Sequence, residues 1–262
     1  MAIIKKEAYF NSSTGVNKIR TLIWQDDEVA PVAVFQIAHG VAEHIGRYDH
    51  FARFLASNGF VVCGNDHIGH GKSVACEADL GFTAEKEGYR RFVDDMHILY
   101  KIMHKRYPEL PYYLFGHSMG GFAALNALAT GLKVKKAFLL APCNICYRQL
   151  FEKEKLAGLT STKDSGYYRL ERYTILEDEL KEHEQDWYFP NLVECLPRDL
   201  PYTILCGIQD TVCPAETHVK PMLEKMEALG FDVRYTEHDD GHSFHASRLW
   251  LADTVVKALQ ER

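Results

Sequence analysis

Residues Leu114–Gly121 read Leu-Phe-Gly-His-Ser-Met-Gly-Gly, a Gly-x-Ser-x-Gly stretch built on Gly116, Ser118 and Gly120. An apolar run, Tyr112–Phe115, precedes it, and an alanine-rich helical pattern, Phe122–Leu128, follows and stops near Gly131. A serine between a strand and a helix sits on a turn so sharp that its backbone is strained and its hydroxyl stands clear of the sheet. Glycine two residues before and after it lets strand and helix pack closely. The helix that begins there aims free backbone N–H groups at any oxyanion formed beside Ser118. The competing reading is a chance glycine-rich turn, so the rest of the chain must supply the partners of a serine nucleophile.

Outward from that stretch, strand and helix patterns alternate. Glu7–Phe10 and Val16–Trp24 read as two strands joined by the turn Asn11–Gly15, hence antiparallel to each other. Val32–Ala38 is a near-continuous apolar run, the mark of a buried parallel strand. It ends in His39-Gly40-Val41-Ala42-Glu43-His44. A helix over about Tyr48–Ser57 leads to a strand at Phe60–Gly64 and a glycine-rich loop, Asp66–Ser73. In a helix over Glu85–Arg106, Phe92, Met96, Leu99 and Met103 form one apolar stripe. Lys136–Ala141 and Tyr202–Gly207 are further strands. A helix over Glu216–Leu229, a strand over Phe231–Thr236 and a helix over Ser247–Gln260 complete the pattern.

This alternation predicts an α/β fold with a mostly parallel central sheet and helices on both faces. Residues 1–143 and 199–262 make the core. From Asn144 to Arg198 no strand recurs. That stretch reads as a helical cap inserted before the strand that precedes the catalytic acid, above the carboxyl edge where open α/β sheets place their ligands.

Serine is a poor nucleophile until a base takes its proton and an acid orients the base. Asp210 follows the Tyr202–Gly207 strand and emerges at the same edge as Ser118. Glu216 is the reserve acid, placed inside the next helix. His238, His242 and His245 compete for the base. His242 is selected because Gly241 allows a turn before it and Phe244 could lock its ring; His245 is the alternative. The oxyanion hole needs two backbone N–H groups. Met119 supplies one, and Val41, after His39-Gly40, supplies the other, with Ala42 in reserve.

Composition narrows the classes. The chain has 262 residues, 47% hydrophobic and 25% charged, and a formal net charge of −6. That charge argues against nucleic acid as a partner. No apolar run approaches a membrane span, so no integral membrane association is expected. The first residues lack the long apolar stretch of a secretory signal, and the odd count of seven cysteines suggests reduced thiols. Both point to the cytoplasm. Cys143-x-x-Cys146 has neither a second pair nor a nearby histidine at ligand spacing, so no metal is expected there. No cofactor is called for, and oligomeric state is left open.

Taken together these residues resemble the α/β-hydrolase superfamily, along essentially the whole chain outside the cap. Three segments carry a closer likeness to the monoacylglycerol lipase and lysophospholipase group: His39–Tyr48, Asp66–Ser73 and Gly116–Gly121. The first is fairly specific to that group. The resemblance implies a triad of Ser118, Asp210 and His242 and an oxyanion hole of Val41 and Met119. It implies a serine hydrolase that cleaves carboxylic esters of small or amphiphilic substrates. A thioesterase or a small-amide peptidase would use the same triad. A non-catalytic binding module would have no need of the three residues in register. The cap departs from lipid-directed members. Residues 144–198 carry eight basic and eleven acidic side chains, so short- to medium-chain water-soluble esters are expected, without activation at a lipid interface.

Overall fold

The computed structural model describes residues 2–82, 88–143 and 192–260, with the side chains of 88 and 89 left aside. Most of the expected cap lies outside the described residues, as does Cys146.

Among the described residues, eight strands form one sheet in the order β1-β2-β4-β3-β5-β6-β7-β8. They are β1 (Ile3–Asn11), β2 (Lys18–Asp26), β3 (Ala33–Ala38), β4 (Phe60–Asn65), β5 (Tyr112–His117), β6 (Lys136–Leu140), β7 (Tyr202–Gly207) and β8 (Val233–His238). β1 pairs antiparallel with β2 and β2 with β4; every other pairing is parallel. The sequence alternation therefore translates into the expected mostly parallel sheet, with the two antiparallel strands extended beyond the runs that suggested them.

Successive strand residues face opposite sides, because side chains alternate across a pleat. Leu114, Leu139 and Ile204 pack with α2 (Gly88–Arg106), α3 (Met119–Ala129) and α6 (Lys220–Ala228), through Met96, Leu125 and Met226. Their neighbours Phe115, Leu140 and Leu205 pack on the other face with α1 (Asp49–Ser57) and α7 (Arg248–Gln260), through Leu55 and Val255. Phe35, Phe115 and Phe138 have no exposed surface. Burying each contributes roughly 1.5–3 kcal/mol, which is why these central strands read as near-continuous apolar runs.

Two elements differ from expectation. The single helix expected over Glu216–Leu229 is two, α5 (Ala215–His218) and α6, broken at Val219. Pro221 lies in the first turn of α6, where its missing N–H costs nothing; inside a continuous helix it would remove a hydrogen bond. α4 (Leu192–Cys195) falls in the expected cap range, yet Leu192 and Val193 are buried in the main core beside α3.

The parallel register brings four strand ends to one edge. β3 ends before His39, β5 before Ser118, β7 before Asp210 and β8 before His242. Every residue singled out for chemistry leaves the sheet there.

Candidate active site

Ser118 caps the N-terminus of α3 with φ 54° and ψ −120°. A non-glycine residue in this region costs on the order of 1–3 kcal/mol and persists only where its surroundings enforce it. Here its N–H donates to Leu140 O at 3.0 Å, and its carbonyl accepts from the Gly121 and Phe122 N–H groups. A Cβ on Gly116 would run into Gly120 O, and one on Gly120 into Ala38 O. The close strand–helix approach inferred from the glycines is thus present, and so is the strained serine.

Asp210 and His242 meet. His242 Nδ1 lies 2.7 Å from Asp210 Oδ2, while Asp210 Oδ1 accepts from the Val212 and Cys213 N–H groups at 2.8 and 2.9 Å. Burial works to raise the Asp210 carboxyl, but the His242 ring and those two N–H groups outweigh it and hold it below the ordinary value. Burial pulls His242 down despite Asp210, which favours a neutral imidazole. A carboxylate can only accept, so Nδ1 carries the hydrogen and Nε2 is left as the acceptor. That Nε2 is buried and has no hydrogen-bond partner among the described residues.

The competing histidines pair with other side chains, although His245 lines the same cavity as His242. His238 Nε2 pairs with Ser247 Oγ at 3.0 Å, and His245 Nδ1 accepts from Arg248 at 2.8 Å. Glu216, the reserve acid, sits in α5 and pairs with Lys220. Phe244 does not hold His242 as expected. It is fully buried and stacks with His238 and Trp250, and the ring beside His242 is His117, 4.9 Å away between centroids.

Ser118 and His242 open on one cavity of about 220 Å³, lined also by Gly40, Val41, Ala42 and His117. The Gly40 loop presses on the serine: a Cβ on Gly40 would stand 3.2 Å from Ser118 Cβ. Met119 is the first residue of α3, so its N–H has no intrahelical acceptor. Ala42 has φ 57°, a turn that shapes the backbone on the Val41 side of the cavity.

The family model described as serine aminopeptidase, S33, matches residues 29–159, half of the chain. The chain belongs to this family. Human monoglyceride lipase is 38% identical over 106 residues, covering 38% of this chain and 31% of that protein. The monoacylglycerol lipase of Mycolicibacterium smegmatis is 38% identical over 113 residues, 42% of this chain and 38% of that one. The chain thus matches about a third of the length of these relatives. Among solved structures, a thermostable carboxyl esterase from Bacillus coagulans aligns with TM-score 0.76 and 22% identity over 99% of both chains. The fold of this S33-family chain is that of the α/β-hydrolases.

The structure adds residues that the motifs alone did not single out. Glu43, 6% exposed, accepts from the Gly40 N–H and from the Tyr48 hydroxyl, and lies 3.1 Å from His117 Nδ1. Burial works to raise Glu43, but His117, His39 and Arg47 outweigh it and hold its carboxyl far below the ordinary value. His39 Nδ1 donates to Gly40 O and its Nε2 accepts from the His67 N–H, tying the two motif loops together. Asp66 accepts from the Ile45 and Lys72 N–H groups and from Arg20. The glycine-rich loop therefore acts as scaffold behind the serine. Its signal in the sequence was the motif itself; the pairing of Glu43 with His117 had none.

Proposed function

We propose that this protein is a serine hydrolase that cleaves carboxylic esters, with Ser118 as nucleophile, His242 as base and Asp210 as the group that orients it. The observation that carries this reading is the 2.7 Å pairing of His242 with Asp210 on the cavity that Ser118 shares. His242 Nε2 takes the proton as Ser118 Oγ attacks the acyl carbon. The Met119 and Val41 N–H groups receive the oxyanion of the tetrahedral intermediate. Its collapse expels the alcohol, which takes the proton from His242, and leaves an acyl group on Ser118. Water, deprotonated by His242, then attacks the acyl carbon, and the acid leaves as Ser118 regains its proton.

Monoacylglycerols are the substrate class suggested by the names of the similar curated proteins. Membership of a family described by aminopeptidase activity keeps small amides as the second reading. The test is labelling by a fluorophosphonate, mapped by mass spectrometry, followed by turnover of paired esters and amides with the same acyl group. Modification of Ser118 with faster ester than amide turnover supports the reading. Absence of labelling, or preference for the amide, overturns it.

A further inference from the structure

Cys143, Cys213 and His218 come together behind the nucleophile. Each offers one ligand atom, and the three atoms lie within 4.8 Å of one another. All three residues are buried, with exposures of 1%, 0% and 4%. We infer that they form a binding site for a thiophilic divalent cation of the zinc class.

The donor set fits that ion. Two thiolates and an imidazole are ligands that zinc accepts, with a fourth position left open. Zinc bonds of roughly 2.3 Å to sulfur and 2.0–2.1 Å to nitrogen set tetrahedral ligand atoms about 3.5–3.8 Å apart. The side chains therefore need to close by at most about 1.0–1.3 Å to reach those contacts, within the reach of side-chain torsions. Buried cysteines alone would be ordinary small hydrophobes. The histidine is what sets this cluster apart: its Nδ1 is buried with no hydrogen-bond partner among the described residues. Sequence spacing hid the site, because it joins a residue after β6 to one just before α5 and to the last residue of that helix. Cys143 is thus drawn to Cys213 and His218, a set that its Cys-x-x-Cys motif did not suggest.

The cluster touches both ends of the proposed triad. The Cys143 N–H donates to Ser118 O at 3.2 Å, and the Cys213 N–H donates to Asp210 Oδ1. The Ser118 hydroxyl also sits beside the Cys213 thiol. On binding, two S–H bonds break, two sulfur–metal bonds form, and two protons pass to the buffer.

The reduced, metal-free full chain is titrated with Co²⁺ and then Zn²⁺, followed by absorption and proton release. We expect one equivalent of Co²⁺ with a sulfur-to-cobalt charge-transfer band, displacement by Zn²⁺, and two protons released per ion. Cys143→Ser, Cys213→Ser and His218→Gln should each weaken binding by roughly a hundredfold or more, since loss of an outer-shell partner alone costs roughly 10–100-fold. The exposed thiols give the controls, Cys76→Ser and Cys195→Ser, which should bind as the parent does. A titration without saturable charge transfer overturns the site. So does a band that survives Cys213→Ser but is lost in Cys146→Ser. Should the buried variants fail to fold, X-ray absorption of the zinc-loaded parent decides: a shell with two sulfurs supports the site, and one of nitrogen and oxygen alone overturns it.

Discussion

His117 Nε2 donates to the backbone carbonyl of His242 across 3.1 Å, while its Nδ1 faces Glu43 Oε1 at the same distance. A carbonyl only accepts, so the hydrogen on His117 Nε2 is fixed. Glu43 and the proposed base thus contact opposite nitrogens of one ring without touching each other. His117→Ala should lower kcat by roughly tenfold, about 1.4 kcal/mol, with little change in KM. The His117 ring also disfavours charge on His242, so the acid limb of the rate profile should move to higher pH in this variant. A loss of activity with an unmoved limb, or one confined to KM, would reduce His117 to packing.

Ser118→Ala and His242→Ala should each cost on the order of 10⁴-fold or more in kcat, and the double variant no more than either alone, because the residues act as one unit. His245→Ala should be mild, since that ring is engaged by Arg248. Kinetics of the four variants on an activated ester make the check. A larger loss at His245 than at His242 would transfer the role of base.

His242 and Asp210 together fix the direction of the pH dependence. Burial pulls His242 below the ordinary histidine value of about 6.5. A base works when neutral, so activity should rise with pH, with its midpoint below that value. Asp210 pushes the other way by favouring the charged ring. Asp210→Asn should therefore lower kcat by about 10⁴-fold and move the acid limb lower still. An upward shift of the limb in Asp210→Asn would mean that another group is titrating.

Sequence made the strands legible wherever burial on both faces forced a near-continuous apolar run, as at Ala33–Ala38 and Tyr112–Phe115. It made Ser118 legible because a strained turn demands small residues at fixed offsets. The choice among His238, His242 and His245 was less accessible. It depends on where one loop turns, and Asp240 sets that turn by accepting from the Gly241 and Ser247 N–H groups. Pairings such as Glu43 with His117 left no local pattern, since the residues lie 74 apart. Phe244 was misread because an aromatic near a histidine satisfies the core as readily as it locks a ring.

Asp95 provides a stability test away from the site. It has no exposed surface, accepts from Ser12 Oγ and the Ser13 N–H, and is pushed by burial up to about 6. Unfolded, an aspartate titrates near 3.9. Between those values the unfolded chain gives up the proton first, so stability falls as pH rises through the window and levels off above it. The cost at neutral pH is on the order of 3 kcal/mol. Asp95→Asn keeps an acceptor oxygen without the charge, so it should melt higher than the parent at pH 7 and little differently at pH 4. Equal differences at both pH values would remove the titration argument.

The acyl preference is the last test, and it turns on the charge of residues 144–198. Eight basic against eleven acidic side chains give that stretch a net charge of −3. A segment that docks on lipid draws on buried apolar area and on attraction to anionic head groups. This stretch has the opposite sign for the second and no long apolar run for the first. Activity should therefore be greatest on short- to medium-chain monoacylglycerols and soluble esters, with no rise at a lipid–water interface. The contrary indication is the likeness to monoglyceride lipases, which rests on about a third of their length. Specific activity is measured against chain length, above and below the micellar concentration of each ester. A jump on crossing that concentration, or a maximum at long chains, would show that the acidic balance does not keep the protein from lipid surfaces.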